Sequence, residues 1–128
     1  MKTIVSFAAV LAALALTTAI PALAHTALVS SVPAAQSAVP SARQITLYFS
    51  ERVMPRLTGL SVAHAGMSHA DHAAMAPMPA LTATLSADGT SLVGTFASAL
   101  PPGAYTVTWH AVSDDTHRIE GNFTFTVR

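Results

Sequence analysis

Hydrophobic and polar residues alternate along most of the chain after residue 24, with the period of two that is typical of a half-buried β-strand. The alternation is clearest over residues 45–50, 81–85, 105–111 and 122–127. Shorter candidate strands cover residues 27–32, 60–63 and 91–96. No segment after residue 24 has a helical period, so the pattern predicts a chain built from about seven short strands.

Turn signals separate these strands. Asp88-Gly89 is a hairpin signal, and Pro101-Pro102-Gly103 predicts a turn that leads into a strand. About seven strands in roughly a hundred residues are typical of an all-β Greek-key sandwich or small barrel. We see no internal repeat and no second domain.

The first 24 residues have a different pattern. A short basic start at Met1-Lys2 precedes an almost wholly apolar run over residues 4–19, and Ala22-Leu23-Ala24 provides small residues before His25. This order predicts a signal peptide over residues 1–24, cleaved after Ala24, and a mature domain over residues 25–128 that is secreted into the periplasm. A membrane anchor is the alternative, but the apolar run is shorter than the roughly 20 residues of a spanning helix.

Composition limits the partners of the mature domain. Loss of Lys2 with the leader leaves five Arg against six acidic residues, a balance that gives no reason to expect nucleic acid or an anionic membrane as a partner. The chain has no cysteine. A soft metal ion would therefore have to bind through methionine and histidine.

Cleavage after Ala24 would make His25 the first residue. Its α-amine and imidazole Nδ1 can close a chelate ring on one ion, a donor set that favours Cu(II). In Asp115-Thr116-His117, residues i and i+2 of an extended segment point to the same side, so the carboxylate and the imidazole can converge on that ion. Each signal alone is also compatible with a chance histidine or a surface turn.

Residues 64–78 interrupt the strand pattern and predict a loop rich in histidine and methionine. Thioether and imidazole groups bind Cu(I) well, whereas methionines in an alanine-rich loop can also simply cover apolar surface. A loop of this length inside a compact domain is usually functional or disordered. The candidate Cu(I) ligands are Met67, His69, His72, Met75 and Met78.

The other notable residues of the mature chain have plainer interpretations. His64 is a weaker metal candidate because it lies nearer a strand, and Met54 is expected to pack. Trp109 is expected in the core, and His110, on the opposite face of the same strand, is expected at the surface.

Five motifs in a fixed order carry a resemblance to a known family. They are the opening His25-Thr26-Ala27-Leu28-Val29-Ser30-Ser31-Val32-Pro33, the strand Leu47-Tyr48-Phe49-Ser50-Glu51, the run Gly103-Ala104-Tyr105-Thr106-Val107-Thr108-Trp109, the segment Ala111-Val112-Ser113 with Asp115-Thr116-His117, and the ending Gly121-Asn122-Phe123-Thr124-Phe125. Over nearly all of residues 25–128 the chain resembles the CopC (CopC/PcoC-like) family of periplasmic copper-resistance proteins.

The resemblance implies a cupredoxin-like or immunoglobulin-like Greek-key β-barrel that carries copper without catalysis. It implies Cu(II) ligands at His25, Asp115 and His117, with Asp114 as a neighbouring second carboxylate. It also implies a possible Cu(I) site in the loop, where this chain has fewer methionines and more histidines than the Met-rich members. A CopD-type inner-membrane copper transporter is the implied partner, and the mature protein is expected to be a monomer.

Two other classes remain open at this stage. An N-terminal histidine that chelates copper also occurs in oxidative polysaccharide-cleaving enzymes, but this chain has few aromatic residues for a substrate surface. The second class is a β-sandwich adhesion or assembly module in which the His/Met loop is incidental. Peroxide-dependent turnover of a glycan would indicate the enzyme, and tight binding of one copper ion would count against adhesion.

Overall fold

A computed structural model describes residues 26–66 and 77–128, which form two four-stranded sheets. In this part of the chain one 3-10 turn, Pro55–Leu57, interrupts the strands. The strands are β1 Leu28–Val32, β2 Ala38–Val39, β3 Gln44–Phe49, β4 Gly59–His64, β5 Leu81–Leu85, β6 Ser91–Phe96, β7 Gly103–Val112 and β8 Arg118–Val127. The predicted all-β sandwich is thereby confirmed.

The strand order is β1-β3-β6-β5 in one sheet and β2-β8-β7-β4 in the other. All neighbours are antiparallel except β2 and β8, which are parallel. The longest pairing is the β7–β8 hairpin, which runs from Gly103↔Val127 to Val112↔Arg118. This hairpin therefore presents the turn over residues 113–117 at one end of the sandwich.

The core lies between the sheets, where the predicted alternation places it. Tyr105, Val107 and Ala111 of β7 have no exposed surface, and Trp109 is 8% exposed. Tyr105 stacks on Phe125 with ring centroids 5.7 Å apart. The rest of the buried core comes mainly from β3 and β6 and includes Ile45, Leu47, Phe49, Leu92 and Phe96.

The structure differs from the predicted strands in three places. The described residues contain eight strands instead of about seven. The additional strand is β2, which was not predicted because its two residues are too few to show alternation. Strand β8 begins at Arg118 rather than residue 122, since Gly121 interrupts the apolar pattern. Ala83 alternates in sequence with Thr82 and Thr84, yet all three are exposed on β5, which lies at the edge of its sheet.

Two other expectations have clear outcomes. The Asp88-Gly89 hairpin joins β5 to β6, and Gly89 has a φ of 73°, a conformation in which glycine pays little steric cost. Within residues 26–66 and 77–128 no helix has the length and apolar character needed to cross a bilayer. The leader over residues 1–24 lies outside the described residues.

Candidate metal centre

The turn between β7 and β8 is closed by its own backbone. The Thr116 amide donates to the Ser113 carbonyl at 2.9 Å, and the Ser113 amide donates to the His117 carbonyl at 3.1 Å. Thr116 has a φ of 68°, in the left-handed region that a β-branched residue rarely adopts. The turn thus brings Asp115 and His117 together by folding back at Thr116, not by the extended alternation that the sequence suggested.

Asp115 and His117 form a close pair at the surface. Nδ1 of His117 lies 3.0 Å from Oδ2 of Asp115, and the two side chains are 74% and 56% exposed. Two donor atoms at right angles on a first-row divalent ion, with bonds of about 2.0–2.1 Å, are separated by about 2.9 Å. The separation is that of a hydrogen bond, and it is also close to the spacing of two adjacent ligands on one metal ion.

Hydrogen bonds keep the Asp115 carboxylate ionised. The Ser113 hydroxyl, the His117 side chain and the His117 backbone amide all lower the pKa of Asp115 well below its ordinary value, the Ser113 bond having the largest effect. Donors to a charged carboxylate stabilise that form. Asp115, the acid that the Asp-x-His motif indicates, contacts the imidazole and so has the position of a ligand.

The first described residues of the chain lie at the same end of the sandwich. Thr26 is 6% exposed, and its hydroxyl donates to Oε2 of Glu51 at 3.1 Å. The Ala27 amide donates to the Ser50 hydroxyl at 2.9 Å. Thr26 is thus fixed beside the segment that follows β3, and His25, its neighbour in sequence, lies outside the described residues.

The segment that holds Thr26 also contacts the turn at residues 113–117. Val53, two residues after Glu51, forms an isolated antiparallel bridge with Ser113. The Met54 amide donates to the Val112 carbonyl at 2.8 Å. Residues 50–54 therefore contact the N-terminal segment through Ser50 and Glu51 and the turn at residues 113–117 through Val53.

Within the described part of the chain, no three histidine, cysteine or acidic side chains converge on one point. Asp115 and His117 supply two ligands, and the predicted third, His25, is outside this part. Met67, His69, His72 and Met75 also fall outside it. Met78 is described, and its half-buried side chain packs against the core cluster.

His64 stands out more strongly in the structure than in the sequence. It ends β4 opposite Tyr105, and the two rings lie 5.0 Å apart. Its Nε2 atom is buried and has no hydrogen-bond partner among residues 26–66 and 77–128. A buried imidazole nitrogen without a partner is costly, so this atom is a candidate to bind a ligand near the predicted loop. Alternation from Val62 was the available signal that His64 faces inward.

His110 lies on the outer face of β7, as predicted, and Trp109 lies in the core. The His110 ring rests against Gly59, where an added Cβ would come within 3.0 Å of Cε1. The indole of Trp109 packs against Phe49 and sits over Gly121 in the same way. Trp109 is thus held rigidly in the strand that leads into the turn at residues 113–117.

Comparison with known proteins identifies clear relatives. The model of the CopC domain family matches residues 28–128. Copper resistance protein C of Escherichia coli is 43% identical over 110 residues, which cover 86% of each chain. The protein of the same name from Pseudomonas syringae pv. tomato is 39% identical over 105 residues, which cover 82% of each chain.

The fold has close structural neighbours as well. The crystal structure of PcoC, a methionine-rich copper resistance protein from Escherichia coli, superposes with a TM-score of 0.68 and 42% sequence identity. The match covers 82% of the present chain and 100% of that one. The two-sheet fold is therefore shared with a solved structure that is 42% identical in sequence.

Proposed function

This chain belongs to the CopC family, and on that premise we propose that it is a periplasmic copper carrier that binds Cu(II) and catalyses no reaction. The observation that carries the proposal is the Asp115–His117 pair, with Nδ1 and Oδ2 3.0 Å apart at an exposed turn. An imidazole and an ionised carboxylate are ligands suited to a tetragonal Cu(II) ion.

The remaining ligands would come from His25. After cleavage behind Ala24, its amine and imidazole supply two nitrogen donors, so that the set contains three nitrogens and one oxygen. The attachment of Thr26 to Glu51 supports this arrangement, because Glu51 lies two residues from Val53, the bridge partner of Ser113. Copper would thus join the first residue of the mature chain to the β7–β8 turn.

A second, Cu(I) site is proposed in the loop that contains Met67, His69, His72 and Met75. The buried Nε2 of His64 supports a site at the β4 end of this loop, since a metal ion would satisfy an atom that has no hydrogen bond to any described residue. Met78 contributes less to this proposal than the sequence suggested, because its side chain packs against the core.

The cellular part of the proposal rests on the leader and on the family. Removal of residues 1–24 would release a monomeric domain into the periplasm. There it would sequester copper or deliver it to a CopD-type inner-membrane transporter.

The test is a Cu(II) titration of the mature protein that begins at His25, followed by Trp109 fluorescence and copper EPR. A matched sample carries one extra residue before His25, which turns the α-amine into an amide. We expect tight binding of one ion in the first sample and a large loss of affinity in the second. Equal, weak binding in both would exclude the amino-terminal chelate as the site.

A further inference from the structure

The two oxygen atoms of the Asp115 carboxylate have different partners. Oδ1 accepts a short hydrogen bond from the Ser113 hydroxyl and a second one, at 3.2 Å, from the His117 amide. Oδ2 faces Nδ1 of His117 at 3.0 Å. One oxygen is therefore held by the protein, and the other lies beside the imidazole.

Ser113 is buried at 3% exposure although it is polar. Its backbone is fixed independently of its side chain, by the hydrogen bonds to Thr116 and His117 and by the bridge to Val53. The hydroxyl can thus be removed without breaking a backbone hydrogen bond. Its contacts are the Asp115 carboxylate and, at 3.5 Å, the His117 carbonyl.

We propose that Ser113 is a positioning residue for copper, whose hydroxyl holds Oδ1 of Asp115 so that Oδ2 is presented to the ion beside the His117 imidazole. This inference rests on the proposed Cu(II) site and adds to it a residue that does not touch the metal. It also implies that Asp115 binds copper through one oxygen only.

The physical reason is preorganisation. A carboxylate that is 56% exposed can turn toward water, and binding would then have to fix its side-chain torsions. The hydroxyl of Ser113, a buried donor directly after β7, fixes them when the protein folds. Hydrogen-bond partners of metal ligands act in this way, and their loss typically costs about 10- to 100-fold in metal affinity.

The experiment measures the Cu(II) Kd of the mature chain by competition with a chelator. Ser113→Ala removes the hydroxyl and is expected to raise Kd about 10- to 100-fold. The matched control is Ser86→Ala, which removes a similar serine-to-aspartate hydrogen bond, to Asp88, in the β5–β6 turn. Its Kd is expected to stay within about twofold of the wild-type value. Ser113→Thr, which keeps a hydroxyl, is expected to recover part of the loss.

A double-mutant cycle separates positioning from a general structural effect. If Ser113 acts through Asp115, Ser113→Ala adds no further loss of affinity in an Asp115→Ala background. In the metal-free protein, Ser113→Ala should also speed hydrogen exchange of the His117 amide, because its acceptor carboxylate is no longer held.

Three results would overturn the proposal. If Ser113→Ala has the wild-type Kd while Asp115→Ala binds Cu(II) more weakly, Ser113 has no positioning role and the proposed copper site still holds. An equal loss of affinity in both backgrounds shows that Ser113 does not act through Asp115. An unchanged Kd in Asp115→Ala shows that Asp115 is not a copper ligand, so that Ser113 has no ligand to position.

Discussion

At the proposed Cu(II) site, the ionisation of Asp115 determines which groups would control copper release as the pH falls. Hydrogen bonds from Ser113 and His117 lower the pKa of this carboxyl, so its stabilising contribution is present above the unfolded value of about 3.9. That contribution is lost only as the pH falls through the lower pKa of the folded state. Between pH 4 and pH 8 the carboxylate therefore remains ready to bind.

Copper release should consequently follow the protonation of nitrogen ligands. The proposed site contains one α-amine and two imidazoles, and each of these nitrogens must lose its proton before it can bind copper. Below about pH 6 we expect log Kd to rise by nearly three units for each unit by which the pH falls, because three nitrogens take up protons. Down to about pH 4 the Asp115 carboxylate should not add a fourth proton to this dependence. Chelator competition at a series of pH values measures this slope. A slope near one would mean that two of the three nitrogens are not ligands.

At the scale of elements, the N-terminal segment is held by its contacts with the residues after β3. Thr26→Val keeps the shape of the buried side chain but removes the hydrogen bond to Glu51. Loss of one such bond should loosen the segment that carries His25 and raise the Cu(II) Kd about 3- to 10-fold. The EPR spectrum should stay the same, because the ligands do not change.

Thr126→Val is the control for this substitution. Thr126 is exposed near the opposite end of β8, where it pairs with Ala38 and Ala104. Its replacement should leave the Kd unchanged. If Thr26→Val also has a wild-type Kd, the attachment to Glu51 does not help to place His25.

The elements differ in how far the sequence predicts them. Strand β7 was predicted almost completely, since its inward residues from Tyr105 to Ala111 are apolar and its outward ones are mostly polar. Strand β2 was missed because two residues cannot show a period, and Gly121 hid the first part of β8. The turn at residues 113–117 was predicted as extended because threonine, unlike glycine, gives no local signal for a positive φ.

At the scale of the whole molecule, the sandwich brings three distant segments to one end: residues 26–27, 50–54 and 112–117. Sequence motifs predicted ligands at His25, directly before the first segment, and at Asp115 and His117 in the last. The connection through Glu51, Val53 and Ser113 depends on the pairing of β1 with β3 and on an isolated bridge, which follow from the packing of both sheets. Such long-range contacts have no local signature in the sequence.

Copper should therefore stabilise the fold as well as bind to it. In the native state only, the ion would link His25 to the turn that carries Asp115 and His117. At free Cu(II) about 100-fold above Kd, the free energy of unfolding should rise by about 2.7 kcal/mol. For a domain of roughly 100 residues this corresponds to an increase in Tm of about 10–20 °C. Thermal unfolding with and without Cu(II), and after addition of a chelator, measures the shift.

The chain with one extra residue before His25 is the control, and its Tm should rise much less. Copper binding by histidines of the unfolded chain reduces the shift in both samples alike, so the difference between them isolates the amino-terminal site. An equal rise in both would place the stabilising copper elsewhere, with the loop that contains His69 and His72 as the first candidate. Repeating the comparison with both histidines replaced by alanine would then decide between the two sites, because only a loop site would lose its effect on Tm.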